Sequence, residues 1–264
     1  MNRNIKYKQV TRISLFGDDD VNTTTNSEYI IYPSTINSIT VNSGGTNYNT
    51  SATQVTISGG GGSGAVLTPT ISGGVITALT VSNAGIGYTG PPTISITSGL
   101  INTTSLVGGT GYVDVNTQFV ITGGGGSGTV IIPTVASGVI TALTITSFGS
   151  GYVTTPTITI TSGITGTTTL VAGSGYTNGT YPLVISGGGG SGCTGTFTIS
   201  SGGLTSISIT NAGTGYTSAP TLSFPGAGAG TGASATATLG TGASATAVIG
   251  TGATASIGGV YKNA

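Results

Sequence analysis

The chain has 264 residues, of which 50 are Gly and only 4% are charged, with no net charge. Mean hydropathy is +0.34, which argues against intrinsic disorder, since disorder usually needs low hydrophobicity and high net charge. No apolar run nears the roughly 18–20 residues of a membrane-spanning helix, and neutrality leaves no electrostatic footprint for nucleic acid.

The first 35 residues read as a charged arm. Arg3, Lys6, Lys8, Arg12, Asp18, Asp19, Asp20 and Glu28 all lie in its first 28 positions. The opening "MNRNIKYKQVTRISLF" is basic but lacks the apolar core of a secretory signal peptide. Two strand-like pieces stand out, "QVTRISLF" and "EYIIYPS". The arm is too short to bury a core of its own. Val10, Ile13, Leu15, Phe16, Tyr29, Ile30 and Ile31 are therefore expected to add strands to the edge of a neighbouring subunit or mounting protein.

The body that follows is periodic. A Gly-rich hexad begins at 59, 123 and 187; Tyr48, Tyr112 and Tyr176 end one kind of turn, and Tyr88, Tyr152 and Tyr216 end a second, "GIGY", "GSGY" and "GTGY". Every landmark recurs at a step of 64, so the body is read as three tandem units, 36–99, 100–163 and 164–227. Each unit holds two Tyr-ended turns, like a long and a short half of one smaller motif.

Segments between the glycines alternate with period two. In "VITALTV", "VITALTI" and "LTSISI", Leu79, Val81, Leu143, Ile145, Ile207 and Ile209 share one face, and Thr80, Thr144 and Ser208 the other. "PTISI" behaves likewise, with Ile94 and Ile96 opposite Thr93 and Ser95. Alternation with β-branched residues and Gly/Pro punctuation predicts half-buried strands, about five per unit, and almost no helix. The fold class is therefore all-β: three 64-residue β-rich repeats, as small β-domains or a solenoid-like stack. Glycines of the second turn, Gly85, Gly87, Gly149, Gly151, Gly213 and Gly215, are expected to hold Tyr88, Tyr152 and Tyr216 over the core with their hydroxyls on backbone. The rival reading leaves those rings exposed to stack on sugars. The hexads resemble engineered linkers, but they keep length and register, so they are expected to be tight strand-to-strand connections.

The tail, 228–264, has a period of ten: "GTGASATATL", "GTGASATAVI", "GTGATASIGG". Ala233, Ala235 and Ala237 alternate with Ser234, Thr236 and Thr238, resembling the strand start after the hexad with smaller side chains. Such a strand is expected to pack against copies of itself from several chains; the alternative is a weakly ordered low-complexity segment.

The residues needed for chemistry are scarce. There is no His, and from 29 to 261 the only formal charge is Asp114, where the other units carry Thr50 and Asn178. It reads as an incidental surface variant. Cys193, aligned with Ala65 and Thr129, reads as a small half-buried residue; a single Cys allows no intrachain disulfide, and no Cys–His pair can form. "GDDDVN" at 17–22 lacks calcium-loop spacing, and the hexads lack the Lys-Ser/Thr and helix of a phosphate loop. Four formal glycosylation sequons, at Asn22, Asn49, Asn102 and Asn178, arise readily in so Thr/Ser/Asn-rich a chain. No enzyme, cofactor, metal site, nucleic-acid partner or membrane partner is expected.

The pattern "VITALTVSNAGIGYTGPPTISIT" with "ISGGGGSGA" resembles Gly-rich repeats of virion structural proteins of tailed phages, notably those of aquatic bacteria. The likeness is clearest at 76–96, 140–160 and 204–224, covers roughly 36–239, and leaves the arm out. Similar repeats occur in bacterial surface proteins. The resemblance implies a fibre, decoration, neck or tail-associated role in a virion, a homo-oligomer such as a trimer or filament, and capsid, neck or tail proteins as partners. It carries no catalytic residue. Two rivals stand beside it. One is an extracellular filament or adhesin subunit at a bacterial cell surface, assembling by strand exchange through the arm. The other is a carbohydrate-binding module that takes a cell-surface glycan on its Tyr rows.

Overall fold

A computed structural model describes residues 34–262. The arm residues Val10 to Ile31 and the "GDDDVN" turn lie outside the described residues. Within them the chain is almost entirely strand. The first stretch holds β1 (Ser34–Thr46), β2 (Gln54–Ser58), β3 (Ser63–Ser72), β4 (Val75–Ile86) and β5 (Thr93–Thr97). The second holds β6 (Leu100–Thr110), one 3-10 turn (Asp114–Asn116), β7 (Gln118–Thr122), β8 (Ser127–Ala136), β9 (Val139–Ser150) and β10 (Thr157–Thr161). The third holds β11 (Ile164–Val171), β12 (Gly179–Pro182), β13 (Val184–Ser186), β14 (Ser191–Ser200), β15 (Gly203–Thr214) and β16 (Thr221–Ser223). The tail supplies β17 (Ser234–Leu239), β18 (Thr241–Ile249) and β19 (Thr251–Lys262).

Local chemistry sets the hairpins. β3–β4, β8–β9 and β14–β15 turn through two residues each: Gly73-Gly74, Ser137-Gly138 and Ser201-Gly202. Both residues of every pair have positive φ, between 51° and 79°, as a two-residue turn matched to strand twist requires. Register then follows from alternation. Leu67 lies opposite Val81 and Pro69 opposite Leu79; Leu67 and Leu79 are buried, while Thr80 is exposed. Short ladders β2–β5, β7–β10 and β13–β16 close each stretch, with Val55 opposite Ile96 and Ile57 opposite Ile94.

The tail forms strands and is not the weakly ordered segment of the alternative reading. It runs back along its own chain: β17 pairs with β11, β18 with β6 and β19 with β1, all antiparallel. Gly240 alone separates β17 from β18, and Gly250 alone separates β18 from β19. Ten residues of strand reach at most about 33 Å, so each decad takes one step from one 64-residue stretch to the one before it. The physical reason lies in the halves of the units. β4, β9 and β15 each pair with a strand that begins Ser-Gly just ahead of them. β1, β6 and β11 have no such strand ahead of them in the described chain, and the Thr-Gly-Ala starts of the tail supply it.

Buried side chains gather into successive clusters. Tyr48, Leu67, Ile76 and Leu79 meet Ala253 and Ala255; Leu100 and Tyr152 meet Ala247 and Ile249; Ile164 and Tyr216 meet Ala237 and Leu239. The fourth cluster, around Leu183, Phe197, Ile199, Leu204 and Ala227, carries an aromatic group not repeated elsewhere among the described residues. Phe197 stacks on Tyr181 at 5.4 Å and meets Phe224 edge-on at 5.2 Å.

The sheet edges differ in an informative way. β14 is a central strand, paired with β12 on one side and β15 on the other, and carries Phe197. The matching strands β3 and β8 have one ladder neighbour each and carry Pro69 and Pro133 at that position. Proline is tolerated at an edge and resists pairing with a further strand. Asp114 is likewise no incidental variant. Its Oδ1 accepts the Val135 N–H at 2.7 Å on β8; at the matching place in β14, Ile199 pairs with Gly179 of β12. A carboxylate thus takes one edge amide that a whole strand covers in the third stretch. Asp114→Ala should leave overall stability within about 1 kcal/mol yet speed aggregation, measured by light scattering during prolonged incubation, while Asp114→Asn, which keeps an acceptor oxygen, should not.

Candidate functional site

The side chains that organise the molecule are six tyrosines, each at the end of a turn with left-handed residues one and three places before it. Gly85 (φ 62°) and Gly87 (φ 79°) precede Tyr88, Gly149 and Gly151 precede Tyr152, and Gly213 and Gly215 precede Tyr216. The turns ending in Tyr48, Tyr112 and Tyr176 share this geometry, with Asn47 the one non-glycine, a residue that tolerates it.

Each ring lies flat over a glycine of a Gly-Ser-Gly or Gly-Thr-Gly triplet. Tyr88 covers Gly62, Tyr152 covers Gly126 and Tyr216 covers Gly190; Tyr48 covers Gly250, Tyr112 covers Gly240 and Tyr176 covers Gly230. A Cβ on any of these glycines would clash with carbons of the ring. Five of the rings are 5% exposed or less, and Tyr176 is half-buried. The hydroxyls of Tyr48, Tyr112, Tyr152 and Tyr176 find partners two residues beyond the triplet's serine or threonine. The Ala253, Ala243 and Ala233 N–H groups donate to Tyr48, Tyr112 and Tyr176, at 3.4, 3.4 and 3.2 Å. The Tyr152 hydroxyl pairs with Thr129 Oγ1 at 3.0 Å. Burial pushes the Tyr48 and Tyr112 phenols above their ordinary range, more than the alanine N–H groups pull them down. At Tyr216 burial, and next the nearby Cys193, also push upward.

The hexads are part of this construction. Gly59, Gly60 and Gly61 have φ of 80°, 68° and 78°, which side-chain-bearing residues rarely adopt. The Gly60 carbonyl accepts the Thr89 N–H at 2.7 Å, and Gly124 and Gly188 do the same for Val153 and Thr217. The stretches are fixed connections into which the second tyrosine turn docks. The first tyrosine turn docks on the hairpin tips: Tyr48, Tyr112 and Tyr176 donate their N–H to Gly74, Gly138 and Gly202.

Two buried serines join one stretch to the next. Ser98 and Ser162 are fully buried, and their backbones exchange hydrogen bonds with Tyr152 and Tyr216. Ser98 Oγ donates to the Gly99 carbonyl at 2.8 Å and accepts the Gly250 N–H at 3.0 Å; Ser162 does the same with Gly163 and Gly240. The tail is therefore held at both single-residue joints between its strands. Ser98→Ala leaves the buried Gly250 amide without its acceptor and should cost about 1–3 kcal/mol, read from the urea midpoint. Nothing but a 64-residue spacing marked these serines in the sequence, and the first three tyrosines were legible as turns without their partners.

Among the described residues no three His, Cys, Asp or Glu side chains gather as metal ligands. Cys193 is half-buried on β14, and burial raises its thiol pKa. A cleft of about 330 Å³ beside Tyr112, lined also by Ile158, Thr159, Thr217 and Gly240, holds no charged side chain. Compared with protein-family models, curated proteins and solved structures, the chain finds no match in any of the three.

Proposed function

We propose that this chain is a non-enzymatic structural protein of a tailed-phage virion, a fibre or decoration subunit. Its three 64-residue units form one laced stack, and the observation that carries this is the tail, whose strands add one decad to each unit in reverse order. Backbone ladders, buried tyrosines and a surface of Thr and Ser suit a durable exposed part. The two ends of the described chain lie side by side, because Ser34 lies opposite Lys262. The charged arm then mounts the subunit on the particle or on a neighbouring copy, and the aromatic cluster of the third unit lies at the far end.

Immunogold labelling of purified particles with an antibody against the units tests the reading. Label on particles, lost when residues 1–35 are deleted, is the expected result. Label on filaments of uninfected cells would replace it with the extracellular filament or adhesin subunit.

A further inference from the structure

The three places where the tail docks are chemically one site used three times. In each, a tyrosine ring covers the first glycine of a Gly-Thr-Gly triplet, and its hydroxyl accepts the N–H of the alanine that follows. Thr251 lies opposite Thr46, Thr241 opposite Thr110, and Thr231 is bridged to Ser174. The inward side chains at the start of each decad are small: Ala253 and Ala255, Ala243 and Ala245, Ala233 and Ala235; further along, Ile257, Ile249 and Leu239 differ between decads. Recognition therefore rests on backbone pairing, on glycine under a ring, and on alanines that fit without a deep pocket. None of these features distinguishes one decad from the next.

We infer that β1, β6 and β11 with their tyrosines form interchangeable acceptor grooves for an extended Gly-Thr-Gly-Ala-x-Ala strand, and that such a strand can arrive from the tail of a second copy of this chain. Strand addition of this kind draws its affinity from main-chain hydrogen bonds. The second copy is the fitting donor because its tail carries the required pattern three times in succession. The inference stands on the fold and not on the virion reading, so either can fail without the other.

The test uses the full chain carrying Gly250→Ala, which sets a methyl against the Tyr48 ring and weakens the seat of β19. A fluorescent synthetic peptide with the natural sequence of residues 250–262 is added and its anisotropy followed. Expected is saturable binding, at least about tenfold weaker when the peptide itself carries Gly250→Ala, with the peptide of residues 240–249 binding within about that factor of the natural one. Should the variant not fold, the same peptides are offered to the wild-type chain in urea just below its midpoint, where local opening precedes global unfolding. Absence of binding in both arrangements, or equal binding of the natural and Ala-substituted peptides, overturns the inference.

Discussion

Replacing Tyr152 by Ala should destabilise the protein by about 3–5 kcal/mol, the usual cost of emptying a buried aromatic site. The ring is 1% exposed and covers Gly126; its cluster includes Leu100, Ala247 and Ile249. It therefore links the hexad, the first strand of its stretch and the tail. Tyr152→Phe keeps the ring and loses only the bond to Thr129, so about 1 kcal/mol is expected. Val153→Ala, beside it but 58% exposed, should change little. Urea titrations of the three variants give the order, and a Tyr152→Ala chain as stable as wild type would remove the tyrosine from its anchoring role.

Gly240→Ala is the second large effect, about 1–3 kcal/mol from overpacking alone. Gly240 is buried, and its added methyl would clash with carbons of the Tyr112 ring. Its φ is not among the positive values, so backbone strain contributes nothing and the whole cost comes from that one contact. A double-mutant cycle isolates it: in a Tyr112→Ala background, Gly240→Ala should cost close to nothing. Equal penalties in both backgrounds would place the cause elsewhere. At Gly242, where φ is 78°, an alanine should cost as much whether or not the tyrosine is present, because there the backbone itself resists.

The all-β character was legible because alternation writes burial directly into a strand. Leu79, Val81, Ile94 and Ile96 turn inward as their spacing requires, and Thr80, Thr93 and Ser95 turn out. Pairing partners were not legible to the same degree. β3 finds β4 across a two-residue turn, which local sequence specifies; β1 finds β19 more than two hundred residues away. A strand of Ala, Ser and Thr carries no side chain that names its partner. The information sits in the glycine that each tyrosine requires beneath it, and the shared start of hexad strand and decad was the only written trace. Asp114 eluded the comparison of units for a related reason. Aligned positions show that Thr50 and Asn178 differ from it, but not that Val135 on the next hairpin presents an amide to be covered.

The direction of the tail also fixes an order of completion in time. A chain is made from its N-terminus, yet β1 acquires its partner only when β19, the last described strand, has been made. The third unit can close first, the second after ten more residues, and the first last of all. A product that stops at residue 250 would keep the second and third stretches closed and leave the first open, while one that stops at 240 would leave the first and second open. Synthesis through β19 is thereby written into the fold as the condition for the chain to seal its own first stretch.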